Sequence, residues 1–249
     1  MKEIVLGFVM GAANLLPGIS GGTIMFISGR YSEIIDAAAS VFTLRFEKRK
    51  VFLLVYLGLG IVLAFVALSK LLDFLYANFP VEVTSFFAGL IMGGLFFMSV
   101  GMRPKLKESV AIALGALAMV GIALANEGSL SPTFLNLFVG GVIAGATMIL
   151  PGISGSSMLL ILGLYDDAVH AVANLEFGRL FSIGIGAFLG IILMTIGMKK
   201  LVERFESITM AFLFGLTLAG LIFILSGGAS ISFIIFGFGT TFLLQRIVG

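Results

Sequence analysis

The sequence contains no cysteine and no tryptophan, and it has one histidine, His170, in 249 residues. Without cysteine there is no disulfide framework, no thiol nucleophile and no thiolate metal site. A single histidine also excludes a multi-histidine metal centre. Charged residues are scarce, at 11% against about 25% in an average soluble domain. We therefore predict no metal and no cofactor, and a soluble enzyme or a secreted binding domain is a poor interpretation.

Apolar residues dominate the composition. They make up 59% of the chain, with 25 phenylalanines, and the mean hydropathy is +1.19. A soluble globule of this size cannot bury so much apolar surface behind so few charges. The fold class is therefore predicted to be an all-α integral membrane protein. Six stretches have the length of a span across a ~30 Å hydrocarbon core, approximately residues 51–69, 81–101, 109–125, 180–198, 208–226 and 229–247.

Two further apolar stretches, residues 4–29 and about 133–164, are interrupted by Pro-Gly-Ile-Ser-Gly. Proline removes a helix donor and clashes with the preceding turn, while glycine permits positive φ. Each half has only about 10 to 13 residues, too few to cross a membrane alone. The pattern predicts two re-entrant helical hairpins, whose irregular backbone is tolerated at membrane depth only inside protein or along a cavity.

The two broken stretches are copies of each other. A shift of 134 positions aligns twelve identical residues between Gly7 and Tyr31 and between Gly141 and Tyr165, which indicates an internal repeat. Weaker matches continue downstream. We therefore predict one membrane domain built from repeat 1, residues 1–128, and repeat 2, residues 129–249, each with one hairpin and three spans. Because three crossings are an odd number, repeat 2 is predicted to be inverted.

The charges agree with this topology. Residues 30–50, 103–108 and 199–204 and Arg246 are net basic, whereas residues 70–82 and 166–176 are net acidic. If both hairpins are re-entrant, every basic segment and both termini fall on one side, as the positive-inside rule requires. If each broken stretch crossed once, Lys199, Lys200 and Arg204 would lie outside. The re-entrant arrangement is favoured.

Inverted repeats with broken helices at mid-membrane are typical of alternating-access transporters. The residues after each break expose backbone N–H groups at a helix start, which favours an anion. The neutral, donor-rich centre suits an oxyanion such as phosphate better than a metal cation. The alternative is that the hydroxyls only satisfy the N–H groups of their own turns. The candidate substrate-binding residues are Asn14, Gly18, Ser20, Gly21, Gly22, Thr23, Gly152, Ser154, Gly155, Ser156 and Ser157, with Arg30, Glu33, Asp166 and Asp167 as charges at the cavity mouths.

These motifs carry a resemblance to a known family. Residues 11–23, with Gly29-Arg30-Tyr31, and residues 148–156 resemble the two signatures of the prokaryotic polyprenyl-phosphate transporters, the PopT-type undecaprenyl-phosphate translocases. Arg30 stands where a small apolar residue is expected. The resemblance implies a flippase that returns undecaprenyl phosphate to the cytoplasmic leaflet for reuse in cell-envelope synthesis. It also implies the plasma membrane of a prokaryote and implicates both break motifs in headgroup binding.

Two alternatives stay open. The chain could transport a small soluble oxyanion, and a lateral opening to lipid, as opposed to an enclosed aqueous vestibule, would argue against that. It could also be a membrane enzyme acting on polyprenyl phosphates, although one histidine and no carboxylate at membrane depth count against catalysis. The predicted partners are the lipid and the bilayer, with no nucleic acid, and a homo-oligomer is left open.

Overall fold

The computed structural model describes residues 1–16, 18–100, 102–125 and 128–248. Pro17 of the first break motif and the isolated Glu127 lie outside these residues. Within the described ranges the chain forms helices and no strands. The helices are α1 (Lys2–Asn14), α2 (Gly21–Ile27), α3 (Tyr31–Phe42), α4 (Lys48–Asn78), α5 (Pro80–Ser99), α6 (Leu106–Ala123), α7 (Phe134–Thr147), α8 (Gly155–Ile161), α9 (Tyr165–Ala173), α10 (Phe177–Ser226) and α11 (Ile231–Val248).

The predicted all-helical membrane architecture is confirmed by the long apolar helices. Of the described helices, α4, α5, α6 and α10 are long and apolar enough to cross a membrane, or up to five spans exist if the bent pair α8 and α9 counts as one. The predicted spans 180–198 and 208–226 are joined in α10, which has 50 residues. A straight helix of that length would measure about 75 Å, and α10 is instead bent at Phe205, whose φ of −140° and ψ of 48° are non-helical.

Both broken stretches fold in the same order. A first helix (α1 or α7) ends before the break, a seven-residue helix (α2 or α8) follows it, and a third helix (α3 or α9) comes next. The backbone conformations match too, because φ is +80° at Gly18 and +86° at Gly152, the glycines that follow the two prolines. Only glycine adopts this region at little cost, so the predicted need for glycine at the breaks is confirmed.

Glycines hold neighbouring helices at close range. Gly89 packs against the Ile234 carbonyl and Gly186 against the Phe138 carbonyl, so α5 meets α11 and α10 meets α7 backbone to backbone. Gly93 and Gly190 continue these two contacts one turn further along. The Gly-x-x-x-Gly spacings therefore serve helix packing.

Contacts between distant segments define two ends of the bundle. At one, called the basic end here, Asp36 bonds to Lys199 Nζ at 2.6 Å and to Lys50 Nζ at 2.8 Å. The Ser207 hydroxyl donates to Glu108 at the same end of the bundle, where α10 bends. At the opposite end the backbone N–H of Gly128 donates to the Ile161 carbonyl at 2.7 Å. The start and finish of the second broken stretch thus lie side by side.

Candidate functional site

The first break is stabilised from within. The Ser20 hydroxyl accepts a hydrogen bond from the Thr23 N–H at 3.3 Å and caps α2. The Asn14 side-chain oxygen accepts from the Gly21 N–H at 2.6 Å, across the break. Asn14 therefore holds the interrupted backbone together. All of α2 is buried, so these donors are enclosed by protein.

The second break repeats the cap with a more open surface. The Ser154 hydroxyl accepts from the Ser157 N–H at 3.2 Å, and the Ser154 and Ser157 hydroxyl oxygens are 2.6 Å apart. The Ser156 hydroxyl lies 3.2 Å from that of Ser154. Ser154 is buried, whereas Ser156 is exposed and Ser157 is half-buried. The linked hydroxyls of the second break therefore reach the surface through Ser156 and Ser157, whereas the first-break hydroxyls of Ser20 and Thr23 are buried.

The two breaks touch each other. The Gly152 N–H donates to the Thr23 hydroxyl at 2.9 Å, which joins the second break to the first turn of α2. The buried Tyr31 hydroxyl donates to the Ile149 carbonyl at 3.2 Å. A Cβ atom at Gly22 would lie 2.7 Å from the Met148 carbonyl oxygen. Residues 148–152 thus pack against the first turn of α2.

Tyr31 was absent from the predicted site residues, although the sequence held a signal for it. It is one of the twelve identities in the repeat, where it aligns with Tyr165. Their environments differ, because Tyr31 is 1% exposed and Tyr165 is 38% exposed. The repeat identifies the position, and only the packing shows that Tyr31 connects the two breaks.

A cavity of about 210 Å³ adjoins the second break. Its polar lining comes from Ser154, Ser157 and the backbones of Gly18, Gly152 and Gly220, and its walls are apolar residues of α6, α8 and α10. Of the described residues, none that lines it is charged. The other candidates, Asn14, Ser20, Gly21, Gly22, Thr23, Gly155 and Ser156, are not among its described lining. The structure therefore brings part of the predicted site together around this cavity, while the hydrogen-bond donors of the first break lie outside its described lining.

The charged candidates do not line the cavity at the second break. Arg30 pairs with Glu33 at 2.8 Å and with Glu3 at 3.7 Å at the basic end, where Arg30 and Glu33 line a surface pocket of about 430 Å³. Asp167 pairs with Arg179 at 3.5 Å, and Asp166 is exposed. Hydrogen bonds from two lysine side chains hold the pKa of Asp36 below its usual range. The bond from Lys199 has the larger effect on this pKa, and the bond from Lys50 comes second. These charges join segments at the bundle ends.

The described side chains do not suggest a metal centre. Across residues 1–16, 18–100, 102–125 and 128–248, no group of three or more histidine, aspartate or glutamate side chains could hold a metal ion. The cavity at the second break offers hydroxyls and backbone groups and no carboxylate. Such a set of donors suits an anion better than a cation.

The long apolar helices, with an uncharged cavity beside the contact between the two breaks, define a multi-pass helical membrane protein. The chain belongs to the VCA0040-like family, described as undecaprenyl phosphate translocase-like, whose model matches residues 10–238. This confirms the family that the two break motifs indicated.

Two relatives cover most of the chain. A polyprenyl-phosphate transporter of Vibrio cholerae is 32% identical over 235 residues, which are 89% of this chain and 76% of the relative. A polyprenyl-phosphate transporter of Staphylococcus aureus is 30% identical over 244 residues, 90% of this chain and 86% of the relative. No solved structure matches the chain.

Proposed function

We propose that this protein transports polyprenyl phosphate across the membrane, returning undecaprenyl phosphate from the outer to the cytoplasmic leaflet. The observation that carries the proposal is the uncharged cavity at the contact between the two breaks, with the Ser154 and Ser157 hydroxyls in its wall. Both relatives described above are named as transporters of polyprenyl phosphate. A lipid phosphate needs donors for its headgroup during crossing, while its chain stays in apolar surroundings.

The headgroup site is proposed to lie in this cavity. Ser154 and Ser157 share one short hydroxyl–hydroxyl hydrogen bond, and both hydroxyls can turn to donate to phosphate oxygens. Ser156 is linked to Ser154 and would join them. The first-break residues Asn14, Ser20, Gly21, Gly22 and Thr23 and the second-break Gly155 belong to the same proposed site. These residues would bind the headgroup in a second state of the protein, open to the opposite side of the membrane, because α2 is buried in the present structure.

The proposed topology has six spans and two re-entrant hairpins in inverted repeats. The contact of Lys199 with Asp36 supports it, because these residues share a side only if the second broken stretch does not cross. The pairing of Arg30 with Glu3 supports the same arrangement for the first hairpin. The positive-inside rule then makes the basic end cytoplasmic, with both termini there, in a prokaryotic plasma membrane.

Alternating access between leaflets is supported by the difference between the repeats. Helix α2 is buried, α3 is tied to α10 through Asp36 and Lys199, and the first hairpin is thereby closed. The cavity at the second break is lined by Ala125 and Ile161, near the end opposite the basic one. We take this arrangement as the state open to the outer side, from which a headgroup would enter.

The two other candidate functions are less well supported. An enclosed aqueous vestibule would favour a soluble oxyanion, whereas the largest cavity described here, of about 580 Å³, is an apolar cleft between helices. An enzyme acting on polyprenyl phosphates would need metal-binding acids, histidines or an arginine-rich phosphate site. The cavity at the second break has none of these in its described lining.

Replacing Ser154 with alanine should lower transport of undecaprenyl phosphate by roughly tenfold, since a hydrogen bond to a charged group contributes about 1.5 kcal/mol or more. The measurement is transbilayer movement of the lipid in liposomes that contain the purified protein. Ser99→Ala is the matched control, because Ser99 is exposed and its hydroxyl donates only to the Phe96 carbonyl of its own helix. Normal transport by Ser154→Ala and Ser157→Ala would make these hydroxyls packing features. No transport by the unaltered protein, under several ion and pH gradients, would reject the proposed function.

The topology can be tested by labelling single introduced cysteines. Because the sequence has no native cysteine, any labelling reports the introduced residue alone. Asp166→Cys should react with an impermeant maleimide added to intact cells, whereas Lys107→Cys should react only after the cells are opened. Both positions are exposed in the folded protein. Labelling of both residues from the same side would contradict the inverted arrangement.

A further inference from the structure

Two tightly packed helix pairs, α1 with α4 and α5 with α11, stand side by side in the fold. Gly11 of α1 lies against α4, where a Cβ atom would come within 2.8 Å of the Ile61 carbonyl oxygen. Gly89 of α5 lies against the Ile234 backbone carbonyl of α11 in the same way. Neither pair can absorb a larger side chain at these positions. Each pair therefore behaves as a rigid unit, and the space between the pairs is a feature of the fold.

That space is a cleft of about 580 Å³, called the apolar cleft here. It is lined by α1, α4, α5, α11 and Phe79, and its polar lining among the described residues is Glu82 and Thr240. The Thr240 hydroxyl already donates to the Phe236 carbonyl of its own helix. Six phenylalanines form much of the wall: Phe8, Phe79, Phe86, Phe87, Phe233 and Phe236.

We propose that the apolar cleft binds the isoprenoid chain of the transported lipid. This proposal rests on the proposed function and adds a second site to the headgroup cavity. Ligand pockets typically measure about 300 to 1,000 Å³ and are lined by apolar and aromatic side chains. The cleft has this size and lining. A soluble anion would find no donors in it, whereas a hydrocarbon chain needs none.

The position of the cleft favours the chain of this substrate over that of any bilayer lipid. Ala12, in the last turn of α1, lines the cleft, while Gly18, just across the first break, lines the headgroup cavity. One break thus borders both an apolar and a polar compartment, as a molecule with a phosphate at one end of a hydrocarbon chain requires. A smaller cavity shares Val9, Leu90 and Leu244 with the cleft and continues its apolar wall towards the basic end.

The test fills the cleft and compares two chain lengths. Leu75→Trp and Thr240→Phe enlarge wall residues of the cleft without touching the breaks. In liposomes, both variants should transport undecaprenyl phosphate about tenfold more slowly, the effect of excluding about two buried CH₂ groups. Farnesyl phosphate, which has the same headgroup and a short chain, should move at nearly the unaltered rate. Val66→Trp and Ile235→Phe are matched controls on the same helices, since these side chains are 80% and 66% exposed and should have no effect.

The outcomes separate this proposal from the function on which it rests. If the unaltered protein moves neither lipid, the proposed function fails. Two results would show that the isoprenoid chain does not use the cleft, provided that the unaltered protein moves both lipids. In one, the filled variants move undecaprenyl phosphate at the normal rate; in the other, they move both lipids more slowly by the same factor. Crosslinking gives a second readout: a diazirine-bearing polyprenyl phosphate should label α5 or α11. A diazirine phospholipid that labels the same site and is not displaced by undecaprenyl phosphate would assign the cleft to ordinary bilayer lipid and overturn the proposal.

Discussion

Gly22→Val should nearly abolish transport while the long helices still form. A Cβ atom at Gly22 would lie 2.7 Å from the Met148 carbonyl oxygen and 3.2 Å from that of Ile149. Backbone atoms cannot rotate aside as a side chain would, so α2 and the second break have to move apart. Such a shift costs about 2 kcal/mol or more, which is about thirtyfold in the population of the joined breaks. Transport in liposomes is the measurement.

Gly58→Val is the control for this prediction, because nothing beyond its own turn of helix lies within 4 Å of the Cβ position at Gly58. A second variant tests the same contact without adding bulk, in case Gly22→Val does not fold. Thr23→Val keeps the side-chain shape and removes the hydroxyl that accepts from the Gly152 N–H. Leaving a buried donor unpaired costs about 1–3 kcal/mol, so Thr23→Val should also transport poorly. If well-folded Gly22→Val and Thr23→Val both transport normally, contact between the breaks is not part of the mechanism.

The sequence is informative about the breaks because their chemistry is local. Proline and glycine determine where a helix stops, and serine caps the next one, so residues 15–20 and 148–154 could be located without a structure. The positive φ of Gly18 and Gly152 and the two serine caps follow from the same residue types.

The difference between the two breaks could not be predicted from the motifs, since the motifs are nearly identical. It depends on what packs over each short helix: α2 is covered by residues 148–152, while α8 leaves Ser156 exposed. The sequence predicted a break between the spans 180–198 and 208–226, but its exact position at Phe205 is marked by neither proline nor glycine. The apolar cleft was missed for a related reason. A phenylalanine that lines a cleft and one that faces lipid look the same in an apolar sequence.

Gly186→Val should destabilise the protein strongly, and Gly184→Val, two residues away on the same helix, should not. Gly186 of α10 packs against the Phe138 carbonyl of α7, whereas nothing beyond its own turn of helix lies within 4 Å of the Cβ position at Gly184. Both substitutions add the same β-branched side chain to the same helix, so their effects on helix propensity cancel in the comparison. The difference of about 3 kcal/mol that we expect reports the close approach of α7 and α10 alone.

The measurement is the melting temperature and the monodisperse yield of each purified variant in detergent, followed by transport in liposomes. Helix α7 leads directly into the second break, so a shift of α7 away from α10 also moves Ser154 and the cavity wall. Gly186→Val should therefore lose transport together with stability, whereas Gly184→Val should keep both. Equal melting temperatures for the two variants would mean that α7 and α10 can separate without cost. In that case the second break would lack the rigid support that its headgroup site requires.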